Sequence, residues 1–124
     1  MNGTRKSIWI SIDDEGLTQA IQTILAQEDF NIKIVEDENH LQTELKTTKP
    51  DLLLLDIHFF ENNGVCMLKE LKKNRPTSDI PVMVLSEELD RKVCSRLEVD
   101  ECLAKPFDIE LFLRKVNDLT QSSN

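Results

Sequence analysis

Pro50-Asp51-Leu52-Leu53-Leu54-Leu55-Asp56 is the stretch on which the fold turns. Four leucines in a row leave no polar face, which is the pattern of a strand covered by helices on both sides. Proline resists helix at the entry, and a carboxylate stands at the exit. Outward from this run, other strand-like runs recur at Ile8 to Ile12, Ile32 to Val35, Val82 to Leu85 and Glu101 to Ala104. Between them, apolar residues repeat at helical spacing: Leu17, Ile21, Ile24 and Leu25; Leu41 with Leu45; Val65 with Leu68 and Leu71; Phe112 with Val116 and Leu119. These stripes are read as core. Alternating strand and helix signals predict βα units, a mostly parallel sheet and an α/β fold. Asp79-Ile80-Pro81 punctuates the fourth strand as Lys49-Pro50-Asp51 does the third, and Asp108 is an expected N-cap of the last helix.

The 124 residues match one compact domain, with a core over about 7–119 and a polar tail or linker at 120–124. Fifteen basic residues against twenty-three acidic ones give a formal charge of −8, which repels a phosphate backbone, so direct nucleic-acid binding is not expected. The apolar runs are too short to span a bilayer and no leader segment is evident, so no membrane association and a cytoplasmic location are expected. Cys66, Cys94 and Cys102 lack CxxC spacing, and His40 and His58 are far apart. Neither a zinc site nor a disulfide framework is signalled, and each cysteine is read as a small buried hydrophobe in a reducing compartment.

Right-handed crossovers leave few topologies for five such units, and ligands of open α/β sheets sit at the carboxyl ends of the strands. Residues that directly follow strands are therefore the site candidates: Asp13, Asp14 and Glu15, then Asp56, Ser86 and Lys105. Converging carboxylates repel unless a hard cation binds them, and Mg²⁺ suits a few carboxylates and several waters. Asp56, fixed by a rigid strand, could attack phosphorus to form an acyl phosphate. Lys105 would hold one phosphoryl oxygen and the Ser86 hydroxyl another, because phosphoryl transfer needs mainly positioning and charge neutralisation. Taken singly, each has a plainer reading: Asp13-Asp14 as an N-cap pair, Ser86 as another N-cap, Lys105 as a solvated charge. Taken together the plainer readings lose, since every strand that could supply a site residue supplies the right type in the right order.

Over Ile8 to Leu119 the sequence resembles the receiver domains of two-component response regulators, the CheY-like family. Ile12-Asp13-Asp14-Glu15 resembles the family's acidic pair, and Pro50 to Asp56 with Gly64 eight residues later resembles the segment around the phosphorylated aspartate. Ile80 to Ser86 resembles the strand ending in Ser or Thr, and Leu103-Ala104-Lys105-Pro106-Phe107 the Lys-Pro-Phe element. The resemblance implies a flavodoxin-like, five-stranded doubly wound sheet of order 2-1-3-4-5 in a three-layer α/β/α sandwich. It implies that Asp56 accepts phosphoryl from a sensor histidine kinase or a histidine phosphotransfer protein. Mg²⁺ would be held by Asp13, Asp14, Asp56 and the backbone carbonyl of His58, with Ser86 and Lys105 on the phosphoryl group and a cis bond between Lys105 and Pro106. Such a chain is a signalling phosphoacceptor and not an enzyme acting on external substrates; its own phosphoryl transfer and autodephosphorylation are all it catalyses. Its output goes to a downstream effector or output domain.

Departures from the family pattern are specific. Phe60 stands where proline is usual after the phosphorylated aspartate, Gly16 replaces a common proline, and the stretch from Ser86 to Lys105 is short, with Glu98-Val99 in place of Gly-Ala. Cys102 occupies the switch position, where a Tyr or Phe normally turns inward together with Ser86, and the chain has no tyrosine. Arg91, Lys92, Asp100, Glu101 and Arg114 lie where some family members pair charges across a homodimer formed by helix four, strand five and helix five. The alternative function is a phosphorylation-independent, receiver-like protein-binding adaptor. A flavodoxin-like electron carrier fits poorly with only three glycines, and an aspartyl phosphatase would need Asp-x-Asp where this chain has Asp56-Ile57-His58.

Overall fold

The structure is a computed structural model that describes residues 5–56, 64–86, 99–105 and 107–121, with the backbone alone at Gly64, Val65, Met67 and Ser86. In chain order the elements are β1 (Ser7–Ser11), α1 (Glu15–Gln27), β2 (Asn31–Ile34), α2 (Glu38–Leu45), β3 (Leu52–Asp56), α3 (Gly64–Lys73), β4 (Val82–Ser86), β5 (Glu101–Ala104) and α4 (Ile109–Thr120). The five strands pair in parallel in the order β2-β1-β3-β4-β5, as expected. The segment expected to hold a further helix falls largely on 87–98, and the loop Ile57 to Asn63 likewise lies outside the described residues.

Every residue of β3 is buried, and the period of two along the strand divides its leucines between two cores. Leu52 and Leu54 join Ile8, Ile10, Met83 and Leu85 beneath α1 and α4, where Ile21, Leu25, Phe112 and Val116 close the layer. Leu53 and Leu55 join Trp9, Val82 and Val84 on the opposite face, covered by Leu41 of α2 and by Leu68 and Leu71 of α3. The sandwich has three layers because β3 has no face that tolerates water.

Two aspartates clamp the edge of the sheet at which the strands begin. Asp51 donates its N–H to the Ser7 carbonyl at 2.8 Å and accepts the Ser7 N–H on Oδ2 at 2.7 Å. Asp100 repeats the device with Val82, donating to its carbonyl at 3.0 Å and accepting its N–H on Oδ2 at 2.7 Å. Each satisfies strand-entry groups that the ladder does not reach. Lys72 adds its ammonium to Asp100 Oδ2 at 3.3 Å and to the Ile80 carbonyl at 3.1 Å, joining α3 to the same edge.

Helix boundaries follow local chemistry. Asp14, Asp37 and Asp108 cap α1, α2 and α4, each carboxylate accepting a first-turn N–H, so the expectation for Asp108 holds. At the end of α1 the Asp29 N–H bonds the Ala26 carbonyl and the Phe30 N–H bonds the Leu25 carbonyl, while Phe30 and Leu25 share a core cluster. This is a Schellman cap, and Asp29 occupies its left-handed position with φ of 66°. Replacing Asp29 with Gly should therefore stabilise the domain by about 0.5–1 kcal/mol in urea unfolding, through relief of the Cβ penalty at positive φ.

Candidate functional site

The strand register brings the expected site residues to one edge of the sheet. Ser11 stands opposite Leu55, Asp56 opposite Leu85, and Ser86 opposite Ala104. Asp13 and Asp14 follow β1 directly, Asp56 and Ser86 are the last residues of β3 and β4, and Lys105 is the first residue after β5. All stand at the carboxyl edge, opposite the edge held by the Asp51 and Asp100 clamps.

Asp56 is 2% exposed, a carboxylate at the rim of the apolar core. Its Oδ2 accepts the main-chain N–H of Asp13 at 2.9 Å, a contact between neighbouring strand ends forty-three positions apart in sequence. This fixes the carboxylate's orientation and offsets part of the cost of its burial. The Asp13 side chain is exposed, as is that of Asp14. Asp14 has a structural duty as well, because its Oδ1 accepts the Leu17 N–H at 3.0 Å and begins α1. Thr18 reinforces the turn, its hydroxyl lying 2.9 Å from the Asp14 carbonyl and 3.3 Å from that of Ile12. The plainer reading of Asp14 as an N-cap is thus correct, and it also sets Asp14 beside the carboxyl edge of β1.

Asp14 and Lys105 line a common cleft of about 460 Å³ between α1 and the β5–α4 connection. Its wall is apolar, formed by Leu17, Ala20, Ile21 and Ile24 of α1 with Phe107 and Ile109. Reading the α1 stripe wholly as core needs correction. Ile21 and Leu25 are buried, but Leu17 and Ile24 are half-buried in the cleft wall, because α1 covers only part of its apolar face with the sheet. Ile109 is 51% exposed at the cleft's rim.

Other expectations fare differently. His58 and Pro106, and with Pro106 the expected cis bond to Lys105, lie outside the described residues, as does the Ser86 side chain. The cysteine expectation is overturned at two positions. Cys66 is exposed and free on α3, and Cys102 is disulfide-bonded. Count and spacing miss this because a disulfide depends on which strand face a thiol stands on, and Cys102 packs beside Val99 against the α2–α3 cluster. Sequence reasoning also missed the Asp13 amide, a main-chain donor that leaves no residue-type signal. Among the described residues no group of three or more His, Cys, Asp or Glu side chains is drawn together as a metal cluster. The carboxylates of Asp13, Asp14 and Asp56 at this edge offer oxygen donors, which fits a hard cation that keeps its waters and takes few carboxylates.

The chain matches the model of the response regulator receiver domain over residues 8–117. It belongs to that family. The receiver domain is 31% identical over 112 residues to the transcriptional regulatory protein CpxR of Klebsiella pneumoniae, covering 90% of this chain and 48% of CpxR. It is 37% identical over 107 residues to the CpxR homolog of Haemophilus influenzae, covering 82% and 45%. The chain thus spans about half the length of these curated relatives. A similar solved structure is the receiver domain of the sensor histidine kinase PA1611 from Pseudomonas aeruginosa, described with a magnesium ion coordinated in its active site cleft. The two superpose with a TM-score of 0.82 at 19% identity, over 96% of this chain and all of that one (100%), a likeness of fold.

The cap bond makes Asp14 separable from its neighbours in stability. Asp14→Ala should cost about 1 kcal/mol in urea unfolding, whereas Asp14→Asn, which keeps a capping oxygen, should stay within about 0.5 kcal/mol of wild type.

Proposed function

We propose that this receiver domain is a phosphorylation-operated switch in two-component signalling, with Asp56 as the phosphoacceptor. The observation that carries the proposal is the buried Asp56 carboxylate at the end of the central strand, oriented by the Asp13 amide. An Asp56 oxygen attacks phosphorus, the new O–P bond forms an acyl phosphate, and the bond from phosphorus to the donor's imidazole nitrogen breaks. The phosphohistidine of a sensor histidine kinase or histidine phosphotransfer protein is the donor. Lys105 neutralises charge on the incoming group from the end of β5, and the Ser86 hydroxyl donates to another oxygen.

Asp13, Asp14, Asp56 and the His58 carbonyl would hold Mg²⁺, which when bound supplies positive charge between the carboxylates and the phosphoryl oxygens. The magnesium described in the PA1611 receiver supports this assignment. The chain acts on no external substrate, and its phosphorylated form signals to an output domain or separate effector, in line with the transcriptional regulators it resembles. Among the described residues no helix is long and apolar enough to cross a membrane. Self-association through the β5–α4 face would exchange ion pairs and not simply add them, because Asp100 already bonds Lys72 and Glu101 already bonds Lys115 at 2.9 Å.

Incubation with acetyl phosphate and Mg²⁺ should give a single phosphoryl adduct in the intact mass spectrum. Asp56→Asn should give none, and equal labelling of the two proteins would sink the assignment.

A further inference from the structure

The peptide unit between Ile12 and Asp13 is one rigid plane, with the Ile12 carbonyl on one side and the Asp13 N–H on the other. Both of its polar groups are engaged. The N–H donates to Asp56 Oδ2 at 2.9 Å, and the Thr18 hydroxyl donates to the carbonyl at 3.3 Å. We propose that Thr18 is a positioning residue for the phosphoacceptor site: its hydroxyl fixes the Ile12–Asp13 peptide from α1 and so holds the Asp13 amide on the Asp56 carboxylate. Thr18 acts through that peptide and not on the reacting atoms.

The bond across the turn sets Thr18 apart from other helical threonines. Thr23 and Thr43 each donate to the carbonyl four positions earlier at 3.0 Å, as helical threonines commonly do. Thr18 bonds back in the same way to Asp14 at 2.9 Å, but its hydroxyl also reaches six positions back, out of α1 to the first residue after β1. It therefore straddles the carbonyls on either side of Asp13. The hydroxyl is itself held in place, because the Thr18 N–H also bonds the Asp14 carbonyl at 2.9 Å and because Ile21 and Leu25 seat α1 on the core.

Two physical consequences follow from using both ends of one peptide. A donor on the Ile12 carbonyl polarises the amide and makes its N–H a stronger donor to Asp56. The plane also loses its freedom to tilt, and Asp56, at 2% exposure, relies on fixed donors to keep one orientation. Phosphoryl transfer depends chiefly on positioning, so a looser peptide slows attack by Asp56. The effect on phosphoryl transfer rests on the reading of Asp56 as phosphoacceptor; the hold on the Asp13 amide does not.

The test compares the full wild-type chain with Thr18→Val, which keeps the β-branched shape and removes the hydroxyl, and Thr18→Ser, which retains it. Hydrogen exchange at the Asp13 amide, followed by NMR, should be about three- to tenfold faster in Thr18→Val, the range for losing one ordinary hydrogen bond, and within about twofold of wild type in Thr18→Ser. Exchange at Trp9 and Leu54, deep in the sheet, should not change, since the substitution frees a turn without opening the core. Unchanged exchange at Asp13, equal acceleration at Trp9 and Leu54, or a serine variant that behaves like valine would each overturn the proposal. Initial rates of labelling by acetyl phosphate at saturating Mg²⁺ should fall by about three- to tenfold in Thr18→Val and recover in Thr18→Ser. Labelling of Thr18→Val as fast as wild type would overturn the positioning role. If wild type itself takes no label, the reading of Asp56 fails, and the exchange rates still decide whether Thr18 holds the Asp13 amide.

Discussion

The buried third strand is the constraint from which the rest of the structure follows. Leu52 to Leu55 have no polar alternate positions, so both faces of β3 have to be removed from water. One face requires α1 and α4, the other α2 and α3, and parallel neighbours on both sides satisfy the backbone. The same strand ends in a carboxylate, at the carboxyl edge of the sheet. Continuing the run by one residue places Asp56 at the rim of the core, where it is 2% exposed. A charge in that position has to be compensated by fixed donors, and the Asp13 amide is one.

The acidic residues at the two edges of the sheet are placed differently. At the entry edge, Asp51 and Asp100 use their side chains on neighbouring main chain, and Lys72 ties the second clamp to α3. Acidic residues there are consumed in holding strands together. At the exit edge, Asp14 both caps α1 and borders the cleft that Lys105 also lines. A net charge of −8 therefore does not describe one acidic surface, because its contributors do different things at opposite ends of the strands.

A separate charge group lies on the β2 side. Lys33 pairs with Glu44 of α2 and stands 5.2 Å from the centre of the Trp9 ring, while His40 approaches Glu44 at 3.6 Å. Hydrogen bonding to Lys33, the larger influence, holds the Glu44 carboxyl below its usual range. A carboxyl lowered in the folded state contributes stability above its unfolded value that is lost as pH falls through the folded one. Solvent and salt screening keep this contribution small at a site only partly removed from water.

The sequence by itself determined the fold class and, through its resemblance to receivers, the strand order, and it named the candidate site residues. Apolar periodicity encodes which faces need covering, and Asp13, Asp14, Asp56, Ser86 and Lys105 are legible because each directly follows a strand signal. Strand boundaries were legible to within one residue at β1 and β2, where Ser7 and Asn31 begin strands one position before the apolar run. Only the tertiary structure decided which groups meet. The Asp13 amide that orients Asp56 is main chain, so no residue type announces it. The half-exposed Leu17 and Ile24 look like core in sequence because periodicity records the apolar face of α1 but not how much of it the sheet covers. The oxidation of Cys102 likewise escaped, since sequence carries thiol count and spacing whereas bond formation depends on proximity in space.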